Sequence, residues 1–247
     1  MKRLLITLLL STLAIVTVHA EQTLDQVMAD YVEAKGGEDA IKGIKTMKIS
    51  GKMSMGAMEF PFELTSKRPN KVYTAFEAQG MKGVQAFDGE TGWAIMPFMG
   101  KPDPEKMADD QLKQIKDQAD MDGPLINYKE KGHTVELVGE TEIEGTPVIE
   151  LKVTKKNADV VHIFLDKEYK LEVMSRAKMD MMGQQVEAET YFSDYNEVGG
   201  TVMPHSLAVK MNGQVVQNLT FSQIDTNVDV DDSLFTMPEN KSAEASE

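Results

Sequence analysis

The sequence predicts a mainly β protein with a helical lid, built on an open, strongly curved antiparallel sheet of about eleven strands. Most of the chain alternates apolar and polar residues with the period of two that is typical of half-buried strands. The helical period of 3.6 is confined to the start and the middle of the chain. Because the strands follow one another without intervening helices, a parallel sheet is not expected.

Composition excludes several classes of function. The chain has 247 residues, with 26 Lys+Arg against 40 Asp+Glu and a net charge of -14. This acidic balance argues against a nucleic-acid partner, which requires a basic footprint. It also argues against adsorption to an anionic membrane surface. The chain has no cysteine, which excludes disulfides, thiolate nucleophiles and zinc–thiolate sites.

Residues 1–20 have the pattern of a secretory signal peptide, with Lys2 and Arg3 ahead of an apolar run that ends at Val18. The run is too short for a stable membrane span, so we predict cleavage after Ala20 and a periplasmic location; an uncleaved anchor is the alternative. Losing two cations changes the net charge from -14 to -16. The remainder is predicted to form one domain, residues 21–239, with a disordered polar tail at 240–247.

The predicted helices lie at two places. An apolar stripe predicts a first helix of about fourteen residues, which Thr23 can cap and Gly36 can end. A short second helix is expected at about 38–44. A third is expected within 97–123, with Asp103 as its cap and Pro104 in its first turn. The first stripe consists of Leu24, Val27, Met28, Tyr31 and Val32.

The strands begin with a hairpin that has one apolar face. Its two arms run over about 46–55 and 58–65, on either side of Gly56. Further strands are predicted at about 70–79, 82–88, 91–96, 134–143, 145–154, 159–166, 170–180, 184–195, 200–210 and 213–224.

The sequence contains no recognisable catalytic or metal-binding motif. There is no nucleophile elbow, phosphate-binding loop or metalloprotease motif. The histidines that follow the signal peptide are His133, His162 and His205, and none has a metal-ligand spacing with another. The alternation of Asp225, Asn227, Asp229 and Asp231 hints at a calcium loop. However, Val230 stands where such a loop needs glycine, and Thr236 stands where it needs glutamate. We therefore predict no catalytic residue, no metal and no cofactor.

Methionine is unusually frequent on the apolar strand faces. The chain has 18 methionines, more than its 9 Phe, 6 Tyr and 1 Trp together. Methionine is flexible and polarizable, which suits either the filling of an ordinary core or a cavity for variable apolar ligands. On the second interpretation the cavity is lined by Met47, Ile49, Met53, Met55, Phe60, Phe62, Phe76, Trp93 and Ile95, with lid contacts from Val27, Met28, Tyr31, Leu112 and Ile115.

Three segments in order carry a resemblance to a known family. They are YVEAKGGEDAIKGIKTMKISG from Tyr31 to Gly51, FDGETGWAIMP from Phe87 to Pro97, and DDSLFTMPEN from Asp231 to Asn240. Together they resemble the LolA/LolB/LppX superfamily of periplasmic lipid and lipoprotein carriers, and more narrowly its LolA-like lipoprotein-sorting branch.

This resemblance implies an open β-barrel with a hydrophobic concave face, helices that act as a lid, and no catalytic activity. It also implies acyl chains of lipoproteins or lipids as ligands, with an inner-membrane donor and an outer-membrane acceptor as possible partners. After the predicted signal peptide the chain has two arginines, Arg68 and Arg176. Neither maps onto the lid-latching arginine of the family, so the resemblance assigns no role to an individual residue.

The function expected from the sequence is therefore that of a periplasmic carrier of acyl chains toward the outer membrane, without stable membrane insertion. One alternative is an envelope sensor or polypeptide-binding module with the same fold. A second is a hydrolase or isomerase that uses inward carboxylates, for example Glu187 and Glu189 with His162.

Overall fold

The computed structural model describes residues 22–181 and 184–239, so the predicted signal peptide and polar tail lie outside the described residues. The described residues form three α-helices and thirteen strands. The helices are α1 (Leu24–Ala34), α2 (Glu38–Gly43) and α3 (Asp109–Ala119). The strands are β1 (Thr46–Met55), β2 (Met58–Lys67), β3 (Lys71–Ala78), β4 (Met81–Phe87), β5 (Gly92–Met96), β6 (Lys101–Lys106), β7 (Thr134–Ile143), β8 (Thr146–Thr154), β9 (Val160–Asp166), β10 (Glu172–Met181), β11 (Gln184–Val198), β12 (Thr201–Met211) and β13 (Gln214–Thr226).

All thirteen strands belong to one antiparallel sheet in the order β6-β5-β4-β3-β2-β1-β13-β12-β11-β10-β9-β8-β7. Strands that are neighbours along the chain therefore pair, except for β6 and β7, and in addition β1 pairs with β13. The sheet is curved and unclosed, and β6 and β7 are its two edges. The predicted fold class is confirmed, with thirteen strands in place of about eleven.

The segment after β5 differs from the prediction. The expected helix start around Asp103 and Pro104 is instead strand β6, and α3 begins only at Asp109. Pro102 and Pro104 lie in an edge strand where the register with β5 shifts, between the pairs Ala94–Glu105 and Met96–Lys101. Proline is tolerated in edge strands and at such irregularities, which explains why this segment can be a strand.

Helices α1 and α3 cover opposite halves of the face of the sheet that we call the inner face. Helix α1 buries Val27, Met28 and Tyr31 against a cluster that includes Ile149 and Leu165. Helix α3 packs separately on the other half, against β3 and β4. The two helices thus rest on different strands of one curved surface.

The end of α1 is tied to the turn between β11 and β12. Gly36 has φ +106°, a conformation that residues with a Cβ rarely adopt, and a Cβ there would lie 2.2 Å from Gly200 O. One residue earlier, Lys35 O accepts a hydrogen bond from Val202 N at 3.1 Å. The Gly-Gly sequence therefore both ends the helix and lets it approach the sheet closely.

The opposite, outer face carries its own apolar contacts. The Trp93 Nε1–H donates to Phe235 O at 2.7 Å, and the Phe235 side chain is completely buried. The C-terminal segment is thereby held against the outer face of β4 and β5. Among the described residues, no helix combines the length and apolar character that crossing a membrane requires.

Candidate functional site

An apolar cavity of about 220 Å³ lies between the inner face and the segments that cover it. Its floor comes from β1, β12 and β13, and its roof from α2 and the chain that follows α3. Its apolar lining consists of Ile41, Ile44, Met47, Ile49, Met121, Ile126, Met203, Pro204, Leu207, Phe221 and Ile224. An apolar cavity of about 150 Å³ can bind benzene, so this one has room for a short piece of an aliphatic chain.

The floor of the cavity depends on the pairing of the first strand with the last. Ile49 stands opposite Ile224, and Gly51 stands opposite Phe221. Since directly paired residues share a face, these side chains all point to the inner side. Gly51 is required for this approach, because a Cβ there would lie 2.1 Å from Thr220 O.

Arg68 holds the roof of the cavity together. Its Nη1 and Nη2 donate to the carboxylate of Asp122 at 2.7 and 2.5 Å. Its Nε donates to Ile44 O at 2.7 Å and its Nη2 to Ile41 O at 2.9 Å. The hydrogen bonds to Asp122 raise the pKa of Arg68, against the effect of burial. The guanidinium therefore links α2 to the segment after α3 through a charge-assisted pair.

A second polar cluster anchors α1 beside the cavity. Tyr31 OH donates to Glu172 Oε1 at 2.5 Å, and Tyr195 OH donates to Glu172 O at 2.8 Å. Lys35 Nζ lies 3.6 Å from Glu172 Oε2. Burial, followed by the charge of Glu172, raises the pKa of Tyr31 and of Tyr195 well above the usual value. Both phenols remain protonated donors that fix α1 to the sheet.

The structure brings part of the predicted lining into the cavity. Met47 and Ile49 line it directly. Phe62 is buried on the same face, with its ring centroid 5.9 Å from that of Phe221. Phe76 stands opposite Phe62, and both line a shallow second pocket. Met53, Met55 and Phe60 continue the inner face toward the β1–β2 turn, beyond the cavity.

Trp93 and Ile95 do not face the cavity, in contrast to the prediction. They pair with Ala86 and Val84 and pack with them on the outer face, where Met237 covers them. The alternation of β5 places Gly92 and Ala94 on the inner face instead. The prediction places Trp93 and Ile95 on the wrong face of β5. The alternation of a strand separates its two faces but does not show which of them is the inner face.

The predicted lid residues make helix–sheet contacts rather than cavity contacts. Val27, Met28 and Tyr31 pack over β7–β9, whereas Leu112 and Ile115 pack on Val72 and Phe87. The cavity roof comes instead from residues outside the predicted set, chiefly Ile41, Ile44, Met121 and Ile126.

The alternation of β12 and β13 could have indicated Leu207 and Phe221 as further inner-face residues. It could not have shown that β13 lies beside β1, because no local pattern specifies the pairing of two segments so distant in sequence.

The residues of the hydrolase alternative do not form an inward site. Glu187 and Glu189 lie on the outer face, where Arg176 contacts them at 3.7 and 2.9 Å. His162 Nδ1 lies 2.6 Å from Glu150 Oε1 instead. These carboxylates belong to an ion-pair ladder across neighbouring strands, and the expectation that they point inward is wrong.

Comparison with solved structures identifies the architecture. A domain from Vibrio parahaemolyticus described as an outer membrane lipoprotein-sorting protein domain is similar, with TM-score 0.58 and 13% identity over 85% of this chain and 95% of that one. A DUF1329 family protein from Desulfovibrio piger matches with TM-score 0.57 and 14% identity over 89% and 98%. A LolA superfamily protein from Nitrosomonas europaea matches with TM-score 0.56 and 12% identity over 83% and 96%.

No protein-family model matches the sequence, and no curated protein matches it either. At these identities the structural likeness establishes the fold alone. The curved antiparallel sheet of this chain and the helices that cover it therefore form a LolA-like fold.

Proposed function

We propose that this protein is a periplasmic carrier that binds the acyl chains of lipoproteins or lipids between its helices and the inner face of its sheet. The observation that carries the proposal is the apolar cavity under α2, whose roof is fastened by Arg68 and Asp122. The name of the Vibrio domain refers to lipoprotein sorting, which supports the same class of cargo. The signal-peptide pattern of residues 1–20 supports the location.

The size of the cavity implies that the roof moves when a long chain binds. A volume of about 220 Å³ is too small for a whole acyl chain, so the roof formed by α2 and the chain around Met121 must separate from the floor. The hydrophobic gain is on the order of 12 kcal/mol for sixteen carbons, at about 0.8 kcal/mol per CH₂.

A bilayer offers nearly the same gain, so the direction of transfer must come from partners. We propose a donor at the inner membrane and an acceptor at the outer membrane, which recognise a strongly acidic carrier through basic surfaces. No catalytic step is needed in this scheme.

Cargo that co-purifies with the secreted protein tests the proposal most directly. Native mass spectrometry of the protein from an envelope fraction, followed by organic extraction, should reveal phospholipid or acylated peptide. A protein that is empty and also takes up no fluorescent fatty acid would refute the carrier function. It would favour the polypeptide-binding module.

A substitution within the floor tests the location of the binding site. Leu207→Trp places a large ring in the cavity, and we expect it to abolish fatty-acid uptake while the far-UV spectrum is retained. Val160→Trp is the matched control, because Val160 is 38% exposed and lies outside the cavity lining. Equal uptake by the two variants would show that the ligand binds elsewhere.

A further inference from the structure

We propose that the turn of the β1–β2 hairpin binds a soft monovalent metal ion, Cu(I), through the thioether sulfurs of Met53, Met55 and Met58. This proposal is independent of the carrier function. The metal-binding motifs that the sequence lacks consist of histidine and carboxylate ligands. Within the described residues no group of His, Asp or Glu is arranged to hold a metal. Thioethers are a different class of ligand, which soft ions prefer.

The register of the hairpin places the three methionines on one face. Met55 is paired directly with Met58 across the two-residue turn, and Met53 is paired with Phe60. Directly opposite Cβ atoms lie about 4.5–5.5 Å apart and diagonal neighbours about 7–8 Å. Since Met53 and Met55 are two residues apart on one strand, all three side chains project to the inner side.

The side chains can bring their sulfurs together at one point. Methionine is unbranched and has three rotatable bonds, so each sulfur can move by several ångströms without a change in the backbone. Gln217 Nε2 donates a hydrogen bond to the Met53 sulfur at 2.6 Å, and this contact must break when the sulfur binds an ion. The flexibility of the three side chains allows their thioethers to surround a single ion after that change.

The hairpin separates soft and hard ligands between its two faces. On the outer face Lys52 and Glu59 form an ion pair at 2.8 Å. The inner face of the turn carries the thioethers and, next along β2, the apolar Phe60. Such a surface offers little to Mg²⁺, Ca²⁺ or Zn²⁺, which prefer oxygen, imidazole or thiolate ligands, but suits Cu(I).

The exposure of the turn residues also calls for an explanation beyond packing. The Met55 and Met58 side chains are 47% and 55% exposed, so neither contributes fully to a core. If the turn served only as an apolar entrance for acyl chains, leucine would serve equally well at both positions. The proposed Cu(I) site requires the sulfur atoms of both residues, and this difference makes the proposal testable.

The experiment is an anaerobic competition titration of Cu(I) between the protein and a chromophoric Cu(I) chelator. We expect one Cu(I) per chain, and the redox-inert Ag(I) should compete for the same site. In the double variant Met55→Leu/Met58→Leu, we expect the Cu(I) affinity to fall by at least the roughly 10- to 100-fold that follows when the shell supporting a metal site is disturbed. Leucine preserves the apolar character, so the thermal midpoint should remain unchanged.

The matched control is Met99→Leu, since Met99 is 68% exposed in a different turn and should leave Cu(I) affinity unaltered. The proposal is overturned if the unaltered protein fails to compete with the chelator, or if the double variant keeps its Cu(I) affinity. A protein that binds Cu(I) but takes up no fatty acid would refute the carrier function and leave the metal site intact.

Discussion

At the scale of single residues, Arg68 makes several hydrogen bonds that hold the roof of the cavity together. Its guanidinium contacts one carboxylate and two main-chain carbonyls, all of them in the roof. The side chains of Arg68 and Asp122 are only 22% and 10% exposed. Removing one member of an ion pair that is so little exposed to solvent is costly, because the other charge then stays in place without a partner.

We therefore expect Arg68→Met to lower the free energy of unfolding by about 1.5–3 kcal/mol, the range for a lost hydrogen bond to a charged group. Urea denaturation measures this change. The control is Lys42→Met in α2, which removes an exposed pair with Glu38 and should cost less than about 1 kcal/mol. Equal losses in the two variants would contradict the role assigned to Arg68.

His133 gives the stability a dependence on pH. Burial, together with the charges of Lys131 and Lys155, lowers the pKa of His133, whose Nδ1 accepts a hydrogen bond from Lys156 N at 3.1 Å. The folded protein thus binds this proton less readily than the unfolded chain does. The contribution of His133 to the free energy of unfolding is fully present above about pH 6.5, which is the ordinary pKa of histidine. That contribution is lost as the pH falls from there through the lowered pKa of the folded protein.

Accordingly, His133→Gln should reduce the fall in urea midpoint between pH 8 and pH 5 relative to the unaltered protein. The direction follows from the lowered pKa, because glutamine cannot take up the proton that destabilises the folded state. Urea curves at both values of pH provide the measurement. A variant with an unchanged pH dependence would exclude His133 as a contributor.

At the scale of elements, the close pairing of β1 with β13 is the contact that unites the sheet. The two strands approach closely at Gly51, where a Cβ would lie 2.1 Å from Thr220 O, next to an irregularity in the register between Ser50 and Gly51. We expect Gly51→Ala to lower the free energy of unfolding by about 1–3 kcal/mol, because the added Cβ forces the two strands apart. Differential scanning calorimetry should show the loss.

Gly43→Ala serves as the matched control for this change. A Cβ at Gly43 meets no atom within 4 Å, and the backbone of Gly43 does not have a positive φ. The same substitution there should be neutral or stabilising by about 0.4–1 kcal/mol. If both variants lost the same stability, the strand contact at Gly51 would not be the cause.

The elements also show which features the sequence could specify. The alternation of β1 and β2 is local, and both arms of that hairpin were predicted nearly to the residue. The β6 segment was predicted as a helix because Asp103-Pro104 favours a helix start, whereas the outcome depends on the unpaired edge beside Pro102 and Pro104. Local residue preferences predict the secondary structure of a segment well where its packing favours the same structure. They fail where the position of the segment at an edge of the sheet determines its structure.

The candidate site was less predictable than the fold. Met47 and Ile49 were identified from alternation alone, but Leu207 and Phe221 join them only because β13 lies beside β1. The period of a strand defines two faces, and a distant partner decides which of them is inner. For the same reason Trp93 was assigned to the cavity although it packs beneath Phe235 on the other side.

At the scale of the whole molecule, α3 lies in the connection between the two edges of the sheet. It follows β6 and precedes β7, and it packs on β3 and β4 through Ile115 and Ala119. Two ion pairs attach it to the turn between β8 and β9, where Lys113 contacts Asp159 at 2.7 Å and Lys155 contacts Asp117 at 2.8 Å. Helix α3 therefore contacts both halves of the sheet. It packs on β3 and β4 in one half and forms ion pairs with the turn between β8 and β9 in the other.

The pairing of the first strand with the last has a further consequence for the order in which the protein folds. Met47 pairs with Thr226, so the partner of β1 is synthesised only after nearly all of the other strands. Contacts at such separation require closure of a very long loop and slow the folding of a chain. Until β13 emerges, β1 exposes an unpaired apolar edge, of the kind that promotes aggregation of incomplete chains. A chain of this protein that ends before β13 therefore retains this open edge on β1.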